Sequence, residues 1–256
     1  MSIVSEFTPG SYRFLPSVFQ YCGGVAAFTG FEIQRVRFRN PVPRGDGFDC
    51  IKEIVRDAGR PLTAVCACEL RSPAPFTDEG FRAFNQSYVA TLQKWGLIDN
   101  AVNPVARSNV CPKINPPKVP SFHAFCFTVE AIRVKPTFVI SGSGEAAEGS
   151  GSYSERAVRH GETSADAIRE KARYVLGEME RRLGLLGFGW SDTTAVQIYT
   201  VHDIHPFLAD EIVQRGAAQS GLTWHYARPP LRGLEYEMDC AGLRLDAVTD
   251  MCGPAR

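Results

Sequence analysis

Three acidic residues near the end of the chain are the clearest candidates for acid–base chemistry. Glu235, Glu237 and Asp239 stand at every second position, so in a strand all three side chains lie on one face. A carboxyl group in an apolar setting has a raised pKa and can then act as a general acid or base near neutral pH. Three carboxylates together on one strand face are more often the solvated edge of a sheet. The pattern leaves both interpretations of Glu237 open.

Two other segments carry residue types that could bind a cofactor or a metal. Gly142 to Ala147 fit the pattern G-x-G-x-x-A after a predicted strand, but residues 148–153 do not begin a helix, as a dinucleotide-binding loop requires. His202 to His205 hold two histidines and an aspartate, yet no third group of ligands is apparent, and Pro206 is typical of a helix start. We therefore predict a hydrogen-bonded loop there and no metal site.

The strongest secondary-structure signal is a long amphipathic helix in the second half. From Ala165 to Leu186 apolar residues recur at spacings of three and four, which places them on one face. Thr163 or Ser164 is the expected N-terminal cap. Gly187 and Gly189 are expected to end the helix.

The two halves of the chain repeat one order of elements. Thr63-Ala64-Val65 and Pro75-Phe76 recur at one constant offset as Thr194-Ala195-Val196 and Pro206-Phe207. We predict an α+β fold of two related domains, residues 1–131 and 132–256, each a mixed sheet with two helices on one face. The predicted strands are 25–29, 62–70, 105–111, 122–129, 136–141, 193–201, 222–226 and 234–240, and the predicted helices are 48–57, 78–95, 165–186 and 206–214.

Composition excludes several classes of protein. With 256 residues, 44% of them hydrophobic, the chain can bury a substantial core. Lys plus Arg and Asp plus Glu are 28 each, which argues against a nucleic-acid partner. No apolar run is long enough to span a bilayer and no signal peptide is evident, so we expect no membrane partner and a cytoplasmic location. The eight cysteines form no CxxC pairs, and most are expected to be reduced core residues.

Several segments resemble the RidA (YjgF) family of imine and enamine deaminases. Pro104–Val110 resembles the family's penultimate strand, with its substrate-binding arginine at Arg107. Phe81–Tyr88 resembles the family helix that contains an asparagine and a tyrosine. Val139–Gly142 is similar to the early strand with its serine, and Leu234–Glu237 to the final strand with its acidic residue. The resemblance covers most of the chain.

This resemblance implies both an architecture and a reaction. The family unit is a chorismate-mutase-like α+β domain, so the chain would hold two such domains in tandem. Family members assemble as trimers with clefts between neighbouring domains, which implies a homo-oligomer here, a trimer or a hexamer. The reaction is hydrolysis of an enamine or imine acid with release of ammonia, and it requires neither a metal nor an organic cofactor.

The resemblance also assigns roles to individual residues. Arg107 would hold the carboxylate of a small carboxylate substrate, because its planar fork suits a bidentate contact. Glu237 would activate water or shuttle the proton. Each of the remaining polar residues could instead cap or bridge backbone groups. The residues expected to bind the polar groups of the substrate are Asn85, Ser108, Asn109 and Ser141.

The two halves depart from the family pattern in opposite ways. Gly221 stands where the second half should repeat Arg107, and the final strand of the first half, Phe122–Phe127, has no carboxylate. We therefore expect a composite cleft between an N-terminal and a C-terminal half, within one subunit or between two.

An asymmetric tandem chain of this kind is most similar to the 2-aminomuconate and 2-amino-5-chloromuconate deaminases of nitroaromatic breakdown. The alternatives are a general 2-imino acid deaminase and a non-catalytic module that binds small acids, since fold alone does not determine function. RNA cleavage is disfavoured by the neutral charge.

Overall fold

The computed structural model describes residues 4–98, 102–132, 135–149 and 151–250, which form two mixed β-sheets with helices outside them. No helix within these ranges is long and apolar enough to cross a membrane. The strands are β1 (Ser5–Phe7), β2 (Tyr12–Phe14), β3 (Gly24–Ala27), β4 (Phe31–Pro43), β5 (Val65–Arg71), β6 (Ala106–Pro112), β7 (Ser121–Glu130), β8 (Phe138–Gly144), β9 (Ala195–Tyr199), β10 (Thr223–His225), β11 (Ala227–Arg228), β12 (Glu237–Gly242) and β13 (Asp246–Thr249). The helices are α1 (Arg44–Asp57), α2 (Asp78–Lys94), α3 (Tyr153–Arg156), α4 (Ala165–Leu186) and α5 (His205–Phe207), the last continued by a π-helical segment at Leu208–Val213.

The first sheet carries α1 and α2 on one face. Its strand order is β11-β6-β5-β7-β4-β13. The Thr77 hydroxyl accepts a hydrogen bond from the Gly80 amide and so caps α2, as expected for a threonine at this position. Both helices pack on the sheet through a fully buried aromatic and aliphatic core. Representative members of this core are Phe48, Ile51, Tyr88, Leu92, Phe122 and Phe125.

The second sheet carries α4 and the π-helical segment on its outer face. Its strand order is β1-β2-β3-β8-β12-β9-β10. Helix α4 has the predicted bounds, because the Ser164 hydroxyl caps its start and Gly187 ends it with a φ of 82° in the left-handed region. The predicted apolar face of α4 is buried on this sheet.

The helix-free faces of the two sheets pack against each other. Tyr12 and Val25 from the second sheet meet Ile33, Cys66 and Cys126 from the first in a compact apolar cluster. The result is four layers, helix, sheet, sheet and helix, which confirms the predicted α+β architecture of two mixed sheets, each with helices on one face.

The sheets exchange strands, so neither consists of one half of the sequence alone. Strands β1 to β3 belong to the second sheet, and β11 and β13 belong to the first. Two ion pairs fasten the exchanged C-terminal segment: Arg35 to Asp246 at 2.7 Å and Arg244 to Glu32 at 3.0 Å. The division at residues 131 and 132 stays a prediction.

Several elements differ from the sequence prediction. Strands β1, β2, β11 and β13 were not predicted, α1 begins earlier, at Arg44, and the predicted helix 206–214 is a short helix continued by a π-helical segment. Two further differences have a clear physical reason. Strand β4 was not predicted, because its polar residues Glu32 and Arg35 are buried through ion pairs with residues remote in sequence. The strand predicted from residue 234 begins only at Glu237. The Glu145 carboxylate accepts the backbone N–H groups of Glu235 and Tyr236, which therefore do not pair with a neighbouring strand.

Within the described residues, the cysteines follow the expectation of buried thiols with one difference, and Cys252 lies outside those residues. The difference is Cys50, which is disulfide-bonded and lies partly exposed on α1 rather than inside an apolar strand. The free and buried cysteines are Cys22, Cys66, Cys68, Cys111, Cys126 and Cys240.

Candidate active site

A cleft within this single chain is lined by residues from both halves. Arg107 and Asn109 come from β6, Gly142 from β8, Arg182 from α4 and Glu237 from the start of β12. We call it the composite cleft. Its walls bring together two of the sequence-predicted binding residues and the predicted acid–base residue. Both halves of one chain therefore contribute residues to the composite cleft.

Arg107 lies in an aromatic cage. The carbon of its guanidinium group is 5.1 Å from the ring centre of Tyr88, 5.3 Å from Tyr21, 5.6 Å from Phe81 and 5.9 Å from Phe84. Such rings attract a cation over their faces and hold its plane in place. Three of the four rings project from α2, so the apolar face of that helix positions the guanidinium.

The Arg107 guanidinium has no acidic partner. One of its N–H groups donates to Asn85 Oδ1 at 2.6 Å, and none of the ion pairs in the described ranges includes it. The side chain is 4% exposed, and burial lowers its pKa. A buried cation without a counter-ion costs free energy, which a bound carboxylate would recover. Asn85 therefore positions Arg107 and leaves its remaining donors for a ligand.

Glu237 provides an acidic group in the same cleft. The side chain is buried, and among the described residues its carboxyl group has no hydrogen-bond partner. Burial raises the pKa of Glu237 well above its usual range, and repulsion from Asp239 adds to the rise, while Arg107 opposes it. A carboxyl group with a raised pKa keeps its proton to a higher pH than an ordinary glutamate does and can then donate it.

Gly142 makes room for that carboxyl group. A Cβ built on Gly142 would lie 2.2 Å from Oε1 of Glu237 and 3.2 Å from Oγ of Ser108. No side chain fits there without moving the acid. The backbone of Gly142 therefore lies directly against the Glu237 carboxyl group.

Asn109 supplies a free donor in the cleft. Its Oδ1 accepts a hydrogen bond from the Ser72 hydroxyl at 2.9 Å, and its Nδ2 is buried without a partner. Buried donors are almost always paired, so an unpaired one in a cleft marks a place for a ligand oxygen.

Ser108 points the other way, as strand alternation requires. Its hydroxyl donates to Asp239 at 2.6 Å in a cavity between the two sheets. Asp239 also accepts hydrogen bonds from Tyr199 at 2.9 Å and Gln197 at 2.8 Å. Burial and repulsion from Glu69 raise the pKa of Asp239 to about 6. Ser108 thus fixes a neighbour of Glu237 and does not line the composite cleft.

Ser141 also lies outside the composite cleft. Its hydroxyl donates to the Cys22 carbonyl at 2.5 Å and accepts the backbone N–H of Arg107 at 3.1 Å. Both of these partners are backbone groups. The geometry gives Ser141 a positioning role, joining β8 to the strand that carries Arg107.

The model for the 2-aminomuconate deaminase family, CnbZ, matches residues 4–247 of this chain. The chain belongs to this family. A 2-amino-5-chloromuconate deaminase of Comamonas testosteroni is 49% identical over 244 residues, which are 94% of this chain and 97% of that protein.

One solved structure shows a likeness of fold, and a second aligns with less of the chain. A chorismatase aligns with 86% of this chain and 77% of its own length, at a TM-score of 0.54 and 14% identity. A RidA protein of the Antarctic bacterium Psychrobacter sp. aligns with 44% of this chain and 85% of its own, at a TM-score of 0.32 and 17% identity.

Sequence reasoning missed several cleft residues of this family member. Arg182 had a usable signal, because it shares the apolar face of α4 with Val175, Met179 and Leu186 at spacings of three and four. A charged residue on such a face must have a buried partner or a ligand. Tyr21 had no such signal, since it lies in an irregular segment.

The segment from His202 to His205 is a hydrogen-bonded loop, as predicted. His202 Nε2 lies 2.8 Å from Glu235 Oε2, and His205 Nδ1 lies 2.6 Å from Asp203 Oδ1. Within the described ranges, no three His, Cys, Asp or Glu residues are grouped closely enough to hold a metal ion. Glu235, the third acid of the alternating series, is paired there and does not face Glu237.

Proposed function

We propose that this protein hydrolyses the enamine of an aminomuconate, 2-aminomuconate or 2-amino-5-chloromuconate, and releases ammonia. One observation carries the proposal: a buried guanidinium without a counter-ion shares a cleft with a carboxyl group whose pKa is raised. The family match and the 49% identical 2-amino-5-chloromuconate deaminase support the same reaction.

Binding of the substrate begins with its carboxylate beside the amino group. The carboxylate pairs with Arg107, which is already oriented by Asn85 and the aromatic cage. Because the cation is buried and fixed beforehand, the contact loses little entropy and places the reacting carbon accurately. Asn109 Nδ2 donates to a substrate oxygen in the same cleft.

The first chemical step is proton transfer to carbon. Glu237 donates its proton to the carbon next to the C–N carbon, and the enamine electron pair forms a C=N bond. The products are an iminium ion and the Glu237 carboxylate. The nearby Arg107 offsets the carboxylate charge, in line with its lowering influence on the pKa of Glu237.

The Glu237 carboxylate then acts as the base in hydrolysis of the iminium ion. It takes a proton from water as the water oxygen bonds to the iminium carbon, which gives a carbinolamine. A proton then passes from the hydroxyl oxygen to nitrogen, the C–N bond breaks, ammonia leaves and a C=O bond forms. Glu237 ends protonated as it began, so enamine plus water gives ketone plus ammonia without any cofactor.

Ammonia release from 2-aminomuconate, followed with the loss of its ultraviolet absorbance, tests the proposal. We expect turnover that is unaffected by exhaustive treatment with a chelator. Turnover of 2-aminoacrylate with an equal kcat/KM would instead favour a general 2-imino acid deaminase. Stabilisation by dicarboxylates with no turnover of any enamine would favour a module that only binds small acids.

Classification as a hydrolase follows from this reaction, and the family resemblance further implies a cytoplasmic homo-oligomer, a trimer or a hexamer. We expect light scattering after size exclusion to give three or six times the mass of one chain. A monomer with full turnover would reject that assembly and would agree with a cleft formed within one chain.

A further inference from the structure

A second arginine lines the composite cleft. Arg182 projects from α4 of the second sheet and is 2% exposed. The cleft-lining residues include two arginines, Arg107 and Arg182, and no lysine or histidine. A muconate has a carboxylate at each end, and the proposed reaction uses one arginine for one of them.

The partners of Arg182 show what it can bind. One N–H group donates to the Ser141 carbonyl at 3.1 Å, and another donates to Glu148 Oε1 at 2.9 Å. A third nitrogen lies 3.9 Å from Glu178. The Glu148 contact places a carboxylate on Arg182 inside the same cleft that holds Arg107.

Glu148 is a replaceable partner. Its side chain is 32% exposed, and among the described residues the bond to Arg182 is its only hydrogen bond. Replacing Glu148 by a substrate carboxylate keeps the buried Arg182 paired, so no buried charge is left uncompensated.

We propose that Arg182 binds the distal carboxylate of the substrate, the one remote from the amino group, and that Glu148 occupies this place until the substrate displaces it. The inference rests on the proposed function and deepens it by making Arg182 the residue that selects dicarboxylates. Glu148 acts as an internal competitor for the same guanidinium.

A pair of inert probes isolates this contact. Trans,trans-muconate and sorbate share one diene chain and one carboxylate, and sorbate has a methyl group where muconate has its second carboxylate. Calorimetric titration of wild type and Arg182→Gln with both probes measures how much Arg182 contributes to binding the second carboxylate. We expect the variant to lose about 10- to 100-fold in affinity for muconate and nothing for sorbate, as for a charge-assisted hydrogen bond.

Glu148→Gln tests the exchange at a residue whose side chain is 32% exposed. We expect muconate affinity to rise several-fold and sorbate affinity to stay unchanged, because the competing carboxylate is gone. Arg173→Gln is the matched control, since Arg173 also lies on α4, pairs with Glu211 and does not line the composite cleft. It should leave both affinities unchanged.

Equal losses for muconate and sorbate in Arg182→Gln, or a loss of muconate affinity in Glu148→Gln, would overturn the inference and make the ion pair structural. Steady-state kinetics separate this result from failure of the proposed function. If wild type releases ammonia from 2-aminomuconate while Arg182→Gln raises KM no more for it than for 2-aminoacrylate, the inference fails and the function stands. If wild type turns over neither compound, the function itself fails.

Discussion

The composite cleft differs from the cavity between the two sheets, which Arg35, Glu69, Ser108 and Asp239 line and which we call the inter-sheet cavity. Both are buried and polar, but the charged side chains are paired in one and unpaired in the other. In the cavity, Arg35 makes a bidentate pair with Glu69 at 2.6 and 2.8 Å. In the cleft, Arg107 and Glu237 have no ionic partner in the described part of the chain. Charge pairing stabilises a fold, whereas unpaired buried charge is available to a ligand. We therefore propose the composite cleft as the reactive region, although the inter-sheet cavity holds more ionisable groups.

The pKa directions give the same contrast. The Arg35 guanidinium holds the pKa of Glu69 well below its usual range, despite the opposing effect of burial. Burial raises the pKa of Glu237, and no neighbouring cation is close enough to reverse the rise. Asp239 lies between these cases, with hydrogen bonds that limit its rise. One strand, β12, thus carries both a potential acid and a structural carboxylate.

Replacing Arg107 by methionine should give the largest loss of activity. We expect kcat/KM for 2-aminomuconate to fall by about 1000-fold, mostly through KM, because the substrate carboxylate loses its charged partner. The melting temperature should stay level or rise, since methionine removes an unpaired buried charge. Steady-state kinetics and thermal melts measure the two effects. A large fall in the melting temperature with unchanged KM would make Arg107 a structural residue.

Glu237→Gln should abolish proton transfer while keeping the shape of the cleft. We expect kcat to fall by about 100-fold or more with little change in KM. In wild type, kcat should fall as pH rises through the raised pKa of Glu237, because the protonated form is the acid. The variant should lose this dependence. An unchanged alkaline limb in the variant would assign the acid to another residue.

The stability of wild type should change with pH for the same reason. Above the ordinary pKa of a glutamate and below the raised pKa of Glu237, the folded state holds a proton that the unfolded chain has lost. The free energy of unfolding therefore falls as pH rises through this window. Glu237→Gln should unfold with a smaller pH dependence there, as chemical denaturation at several pH values would measure.

Arg35→Met tests the inter-sheet cavity, where we expect a loss of stability and not a loss of activity. Removing Arg35 leaves Glu69 buried and unpaired, so we expect a loss of about 3–5 kcal/mol in the free energy of unfolding. Where the variant is folded, kcat/KM should change much less than in Arg107→Met. The lowered pKa of Glu69 stabilises wild type above the ordinary glutamate pKa, and this contribution is lost as pH falls. Arg35→Met should lack this pH dependence of the free energy of unfolding.

Local patterns predicted the elements whose determinants are close in sequence. Helix α4 was predicted to the residue, because Ser164 and Gly187 define its ends within the chain itself. Strand β4 was not predicted, because Arg35 is buried only through Glu69 and Asp246, both distant in sequence. Pairing with remote residues leaves no periodic pattern to recognise.

The site divides in the same way. Because one half keeps the arginine and the other keeps the acid, the sequence predicted that Arg107 and Glu237 share one cleft. Both residues line the composite cleft. Sequence could not separate Ser108 from Arg107, because the resemblance covers a whole segment while alternate side chains of a strand face opposite sides. Ser141 was expected in the cleft, yet its hydroxyl is taken up by two backbone groups that only the packed sheets bring near.

The smallest effect should come from Asp239→Asn, which couples the two regions. Asp239 raises the pKa of Glu237 by repulsion, and asparagine keeps an oxygen for the Ser108 and Tyr199 hydroxyls. Without that charge the pKa of Glu237 falls toward its ordinary value, so the alkaline limb of kcat should move to lower pH. At neutral pH kcat should drop by less than about tenfold. Asp246→Asn removes a carboxylate from the other side of the cavity, 2.7 Å from Arg35, and should leave the limb where it is. If both variants shift the alkaline limb equally, the pKa of Glu237 depends on the total charge of the inter-sheet cavity. The division between a reactive cleft and a structural cavity then does not hold.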